Sequence, residues 1–79
     1  MTAIEKIKTG ICKLYEKGEV IHITITLTHP RINLKEAPAE IKGVYPHVFR
    51  VEEHGVPNPK GYTLQYTDLL TNNVKISEL

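Results

Sequence analysis

The sequence has a single cysteine and almost no net charge. With only Cys12 available, the chain can form neither an internal disulfide nor a zinc site built from several cysteines, and a reducing compartment suits it. Ten lysines and arginines against nine aspartates and glutamates give a formal charge of +1. Net charge therefore does not predict general binding to nucleic-acid backbones; only a local patch of basic residues could bind them.

Long hydrophobic runs are also missing. No stretch approaches the roughly 20 apolar residues that span a bilayer, and residues 1–10 alternate charged and apolar side chains where a secretion signal would be continuously apolar. We therefore expect a soluble cytoplasmic protein with no membrane contact. A chain of 79 residues predicts one domain, residues 1–79, with a modest core that disfavours a deep enzyme cleft.

Catalytic and cofactor motifs are absent from the sequence. It contains no nucleophile elbow, no phosphate-binding loop and no pattern of paired carboxylates. Asp68, beside Thr67 and Thr71, is explained by a role as a turn cap that binds free backbone N–H groups. The sequence thus predicts a protein that is not an enzyme, with no cofactor and no small-molecule substrate.

The histidines do not have the spacing of metal ligands. No two of them lie four residues apart on a predicted helix, and no second cysteine is available to complete a site. We interpret them as solvated or interfacial side chains and predict no metal site. The four are His22, His29, His47 and His54.

What the sequence does contain is a strong strand pattern over residues 19–28. Apolar and polar side chains alternate there, and β-branched residues occur on both faces, which indicates one long half-buried strand. The inward set is Ile21, Ile23, Ile25 and Leu27, and the outward set is His22, Thr24, Thr26 and Thr28.

A helix is predicted in front of this strand, over residues 3–16. Thr2 and Glu5 have the spacing of a capping box, and Gly18 suits a left-handed stop. The apolar stripe of this helix consists of Ile4, Ile7, Ile11, Leu14 and Tyr15, with Cys12 at its border.

Four further strands are predicted after the first, together with a loop and one helical turn. Residues 29–38 are predicted to be a loop, because Pro30 and Pro38 remove backbone donors. Strands are predicted at about 39–45, with a bend or bulge at Gly43, then at 47–53, at 62–66 and at 74–76. A single helical turn over residues 67–71, capped by Thr67 or Asp68, precedes the last strand.

This order of elements is typical of small SH3-like or Sm-like barrels. We predict a mainly β fold, a five-stranded barrel of that kind over about 19–77, with the amphipathic N-terminal helix over one open end. An OB-like barrel is the main competitor, but it places its helix between strands three and four, where no helical pattern occurs.

Two stretches of the sequence resemble the signature of the Veg family of small bacterial proteins. They are Gly43-Val44-Tyr45-Pro46-His47-Val48-Phe49-Arg50-Val51 and Tyr66-Thr67-Asp68-Leu69-Leu70-Thr71, and the order of helix, Gly18 turn and long first strand also agrees. The resemblance covers nearly the whole chain. It implies a role in stimulating biofilm formation and in controlling gene expression, by regulation or partner binding and without catalysis.

The sequence departs from the family pattern after the first strand. Family members commonly have a basic cluster such as Gly-Arg-Arg-Lys there, whereas the stretch 29–35 of this chain has only Arg31 and Lys35 as basic residues. Any role that the resemblance would assign to a strongly basic loop is therefore weakened for this chain.

The outward face of the first strand is the first candidate site. His22, Thr24, Thr26 and Thr28 carry no permanent charge, so nothing on this face opposes contact with another protein. The face could be covered by the chain's own helix or loop. Alternatively, it is an interface for a regulatory protein partner or for self-association.

A nucleic-acid surface is the second candidate, because small barrels often bind RNA or DNA. Lys6, Lys13 and Lys17 cluster on one flank of the predicted helix, and Arg31, Lys35 and Lys42 could extend that surface. Glu5 and Glu16 flank the lysines, and aromatic residues for base stacking are few. A solvated helix face is the simpler interpretation.

Overall fold

The protein is a curved antiparallel sheet with a helix packed against it. The computed structural model describes residues 2–28 and 31–79. Its elements, in chain order, are α1 (Ala3–Lys17), β1 (Ile21–Thr28), β2 (Arg31–Val44), β3 (Val48–Glu53), β4 (Gly61–Gln65), α2 (Tyr66–Leu70) and β5 (Val74–Ile76). The predicted mainly β class, with five strands and an N-terminal helix, is confirmed.

The strands form one sheet in the order β4-β3-β2-β1-β5, bent into a half-barrel. β1 pairs with β2 on one side and with β5 on the other, so it is an interior strand. β4 and β5 are the two edge strands. The predicted alternation along β1 is confirmed, because Ile21, Ile23 and Ile25 are buried and the residues between them face outward.

α1 begins and ends at the predicted signals. The Thr2 hydroxyl accepts a hydrogen bond from the Glu5 N–H at 3.2 Å, which satisfies one of the free donors of the first turn. Gly18 ends the helix with φ 66°, and its N–H binds the carbonyls of Leu14 and Tyr15. Ile11 and Leu14 are buried, whereas Tyr15, predicted in the apolar stripe, is 45% exposed.

The predicted loop over residues 29–38 is wrong for residues 31–38, which form the first part of β2; His29 and Pro30 lie outside the described residues. Pro38 pairs with His22 on β1. The His22 N–H donates to the Glu78 carboxylate and the His22 C=O accepts from the Ser77 N–H, so both groups point toward the C-terminal segment and away from β2. The Pro38 C=O points to the other side, where it accepts from His54 N–H. The donor that Pro38 lacks would therefore point away from β1, toward His54, and the β1–β2 ladder loses no hydrogen bond.

β2 contains two bulges. Between the pairs Ile23–Ala37 and Ile25–Leu34 the register shifts by one residue, and Glu36 has φ 48° in this bulge. The second shift lies between Ile41 and Gly43, as the glycine predicted. Together the two irregularities let one long strand follow the curve of the half-barrel.

The end of β4 differs slightly from the prediction. Tyr66, predicted in the fourth strand, is the first residue of α2, and the N-cap is Gln65 in place of Thr67 or Asp68. Asp68 still acts in the cap, because its carboxylate accepts the Gln65 N–H at 3.4 Å. A capping role thus accounts for Asp68, as the sequence predicted.

The helix and the sheet share one apolar cluster. Ile11 and Leu14 of α1 are buried in the same cluster as the isoleucines of β1 and Phe49 of β3. None of the described helices has the length and apolar composition needed to cross a membrane.

Candidate partner-binding surfaces

The outward face of β1 lies where the sequence predicted it, on the side of the sheet opposite the core. His22, Thr26 and Thr28 are exposed and Thr24 is half-buried. Both edges of β1 are paired over residues 23–25, so another strand cannot add to β1 there. Contact with a partner on this face would have to use side chains.

His22 is engaged by the C-terminal segment of the same chain. Its Nδ1 lies 2.8 Å from one carboxylate oxygen of Glu78, and its backbone N–H donates to the other at 2.8 Å. The hydrogen bond from His22 holds the pKa of Glu78 below its ordinary value. This pair ties residues 77–78 to the start of β1.

Thr24 is engaged as well. Its hydroxyl accepts the backbone N–H of Glu36 at 3.1 Å, which stabilises the bulge where Glu36 has positive φ. The Glu36 carboxylate in turn accepts from the Ser77 hydroxyl at 2.9 Å. Of the four predicted face residues, therefore, Thr26 and Thr28 are the two whose side chains form no hydrogen bond among the described residues.

The basic residues proposed for nucleic-acid contact fall into two groups. Lys6, Lys13 and Lys17 are exposed on α1, and Arg31 and Lys35 are exposed on the first half of β2. Arg31 pairs with Thr28 at one end of β1, whereas Lys17 is close in sequence to Ile21 at the other. Seven residue steps separate the two ends of β1, Ile21 and Thr28, by about 23 Å.

Lys42, considered as an extension of that surface, is paired. Its Nζ lies 2.8 Å from the Glu40 carboxylate, and His54 Nδ1 lies 2.9 Å from the other oxygen of Glu40. The contact with Lys42 lowers the pKa of Glu40, and Glu40 raises the pKa of Lys42. Both groups are solvent-exposed, so screening by water keeps this pair weak.

A feature that sequence reasoning missed is a free edge along the first half of β2. β3 pairs with β2 only from Ala39 to Val44, so over 31–37 no described strand occupies the side of β2 away from β1. A cavity of about 360 Å³ opens beside this edge. It is lined by Arg31, Ile32, Asn33, Leu34, Glu53, Lys60 and Tyr62. The period-two alternation of Ile32 and Leu34 with polar residues was the signal available, and Pro38 obscured it.

The two stretches that carry the family resemblance contact each other. The Tyr66 hydroxyl donates to the Tyr45 carbonyl at 2.7 Å, and the Tyr66 ring stacks on Phe49 with centroids 5.5 Å apart. Burial raises the pKa of Tyr66. Tyr45 N–H also donates to Val48, which closes the turn through Pro46. These residues hold the end of β2, β3 and α2 in contact with one another, so their role in this structure is packing.

α1 contacts the same region, where β2, β3 and α2 meet. Lys8 Nζ donates to the Pro46 carbonyl at 3.2 Å and lies 5.9 Å from the centre of the Tyr66 ring. A cavity of about 480 Å³ beside it is lined by Ile4, Pro46, His47, Val48, Gln65, Tyr66 and Thr67.

The described histidine, cysteine and acidic side chains form no metal-ligand cluster. Within residues 2–28 and 31–79, no group of three or more histidine, cysteine, aspartate or glutamate side chains could hold an ion. His29 lies outside that part of the chain. Cys12 is half-buried at the border of the helix stripe, where it was predicted.

Comparison with protein-family models identifies the family. The family model described as "Biofilm formation stimulator VEG" matches residues 2–77, which is all but three residues of the chain. A search of curated proteins found no match.

Proposed function

This chain belongs to the Veg family of biofilm formation stimulators, and we propose that it contributes to the control of gene expression and biofilm formation by protein contact, without catalysis. We place this activity in the bacterial cytoplasm. The observation that carries the proposal is the outer face of the sheet at Thr26 and Thr28, two exposed side chains without charge on an interior strand.

Several properties of this surface support protein contact. Threonine side chains on a strand lose little rotamer entropy on binding, because they are already restricted at χ1. The backbone beneath Thr26 is fixed, since its N–H donates to the Asn73 carbonyl at 2.7 Å. A surface that is rigid before binding loses less entropy when a partner docks.

The test is affinity capture from a lysate of the source bacterium, with and without nuclease, followed by mass spectrometry. Thr26→Lys places a charge in the centre of the face without altering the backbone bond to Asn73. Thr63→Lys, on exposed β4, is the matched control. We expect the wild type and Thr63→Lys to retain the same nuclease-resistant protein partner, and Thr26→Lys to lose it.

Equal capture by all three proteins would show that the face of β1 is not the contact. Capture of no protein by the wild type would contradict the proposed function itself. Analytical ultracentrifugation of the wild type and Thr26→Lys examines self-association at the same face: a dimer that becomes monomeric in Thr26→Lys identifies a second copy as the partner.

Nucleic-acid binding is the second candidate function. It is favoured by the exposed lysines of the α1 flank, Lys6, Lys13 and Lys17, none of which forms an ion pair within the described residues. Arg31 and Lys35 would form a separate contact on β2. Fluorescence anisotropy with labelled single-stranded RNA and DNA tests it. A phosphate-binding surface must lose affinity steeply as salt rises, by a slope that falls when Lys13 is changed to Gln.

A further inference from the structure

We propose that the free edge of β2 over residues 31–35 binds an extended protein segment, which adds as a strand and alternates apolar with acidic side chains. The inference deepens the proposed function, on which it rests, by naming the kind of partner and the place of contact. It concerns the backbone edge of β2, which lies beside the face of β1 because Asn33 pairs with Thr26 and Arg31 with Thr28.

The backbone direction of β2 supports strand addition. Asn33 pairs with Thr26, and the Thr26 N–H is used on the opposite side, by Asn73. Asn33 and Thr26 are therefore a non-hydrogen-bonded pair of the antiparallel ladder, and the N–H and C=O of Asn33 point away from β1. By the alternation along β2, the N–H and C=O of Arg31 also point away from β1. These groups point to the edge that no described strand occupies, where an added strand would bind them.

The inner side of this edge is apolar. Ile32 and Leu34 on β2 and Tyr62 on β4 are half-buried and line the cavity of about 360 Å³. Burial raises the pKa of the Tyr62 hydroxyl, which is consistent with a ring turned from water. Side chains pointing inward from an added strand would lie over these three residues. Apolar side chains are the ones that gain from this contact.

The outer side of the edge is positive. Arg31 and Lys35 are exposed on β2, on the side opposite Ile32 and Leu34, and neither takes part in an ion pair within residues 2–28 and 31–79. The carboxylate in the cavity, Glu53, accepts the Lys60 backbone N–H at 2.9 Å. Acidic side chains on the outer face of an added strand would complement the two cations, Arg31 and Lys35.

The same charges argue against a second copy of the chain as the occupant. If two β2 edges paired antiparallel about Asn33, Arg31 of each copy would lie opposite Lys35 of the other. Like charges directly opposite each other destabilise a strand pair. An acidic partner segment removes this repulsion, so the occupant is a different protein.

The experiment measures binding of a fluorescein-labelled peptide of about seven residues in which Glu alternates with Val, by fluorescence polarisation. A peptide with Lys in place of Glu tests charge. We expect the acidic peptide to bind the wild type and the basic peptide not to bind. In ¹⁵N–¹H spectra, the amide of Asn33 should be among the most strongly shifted when the acidic peptide is added.

Two pairs of variants locate the contact. Asn33→Pro removes the edge donor and should weaken binding about tenfold, the loss expected for one or two hydrogen bonds. Thr63→Pro is the matched control, because the Thr63 N–H points to the outer edge of β4. The Tyr66 N–H donates to the carbonyl of His47, the residue before β3, and alternation along the strand places the Thr63 N–H on the opposite side. Arg31→Glu should also weaken binding, whereas Lys13→Glu on α1 should not.

Circular dichroism of each variant confirms folding, and Arg31→Glu carries the test if Asn33→Pro does not fold. Four results would each overturn the inference. They are equal binding by Arg31→Glu and the wild type, preference for the basic peptide, no binding of either peptide at millimolar concentration, and displacement of the acidic peptide by an oligonucleotide. If Asn33→Pro still captures the lysate partner of the wild type, protein contact stands and only the edge is wrong. If the wild type captures no partner, the proposed function fails, whatever the peptide does.

Discussion

At the scale of single residues, the polar side chains of this protein serve structure more clearly than chemistry. His22 binds Glu78, Thr24 supports the Glu36 bulge, and Asp68 caps α2. Tyr66 joins the two stretches that resemble the family signature. A residue inside a characteristic motif can therefore be there for packing, and the structure assigns Tyr66 and Phe49 to that role.

Tyr66→Phe should destabilise the protein by about 1 kcal/mol, because the part-buried hydrogen bond from the Tyr66 hydroxyl to the Tyr45 carbonyl is lost. Urea denaturation measures the free energy of unfolding. Tyr62→Phe is the control, since no hydrogen bond from the Tyr62 hydroxyl occurs within the described residues, and its stability should be nearly unchanged. Equal losses in both variants would contradict the role given to the Tyr66 bond.

The pair of His22 and Glu78 predicts a dependence of stability on acid. The folded-state pKa of Glu78 is lowered from its ordinary 4.5, so its contribution to stability is present above that pH and is lost as the pH falls through the lowered pKa. We expect the wild type to be more stable than Glu78→Gln near neutral pH. Their unfolding free energies should converge as the pH falls below about 4.5, and a constant difference down to the acid transition would contradict this.

At the scale of elements, local signals set the ends of α1, and long-range pairing set β2. Thr2 and Gly18 cap α1 through bonds within a few residues, so the sequence contained all that was needed. Whether Pro38 interrupts a strand depends on which edge its missing donor would face. That edge is decided by the pairing of Pro38 with His22 on β1 and cannot be read from the residues around it.

Gly18→Ala should cost about 1 kcal/mol, because Gly18 has φ 66° and a β-carbon is unfavourable in that conformation. Gly18→Asn should cost less, since asparagine tolerates the left-handed region better than alanine does. Thermal unfolding followed by circular dichroism gives both values. If alanine were no worse than asparagine, the left-handed cap would not be the reason for glycine at this position.

At the scale of the whole molecule, helix and sheet depend on one core. Ile11 of α1, Ile25 of β1 and Phe49 of β3 are each fully buried in the same cluster. A chain of 79 residues buries too little surface to hold two independent cores, so the parts must stabilise each other. The outer surfaces and the free edge of β2 are what this arrangement leaves exposed among the described residues.

Cooperative unfolding is the expected consequence. Ile11→Val should lower stability by about 1 kcal/mol. It should shift the urea midpoints of the helix signal in circular dichroism and of tyrosine fluorescence by the same amount. Thr9→Ser, on the exposed side of α1, is the control and should shift neither midpoint appreciably. Loss of the helix signal before the fluorescence change would show that α1 is not part of the shared core.

The sequence by itself determined the order of helix and strands, the alternation along β1, the caps of α1 and the bend at Gly43. It could do so because each depends on side-chain period or on backbone preferences within a few residues. Only the tertiary structure decided that residues 31–38 continue β2, that the C-terminal segment engages His22, and that β3 leaves part of β2 unpaired. These features depend on which strands become neighbours, and that is set by burial of the common core and not by any local run of residues.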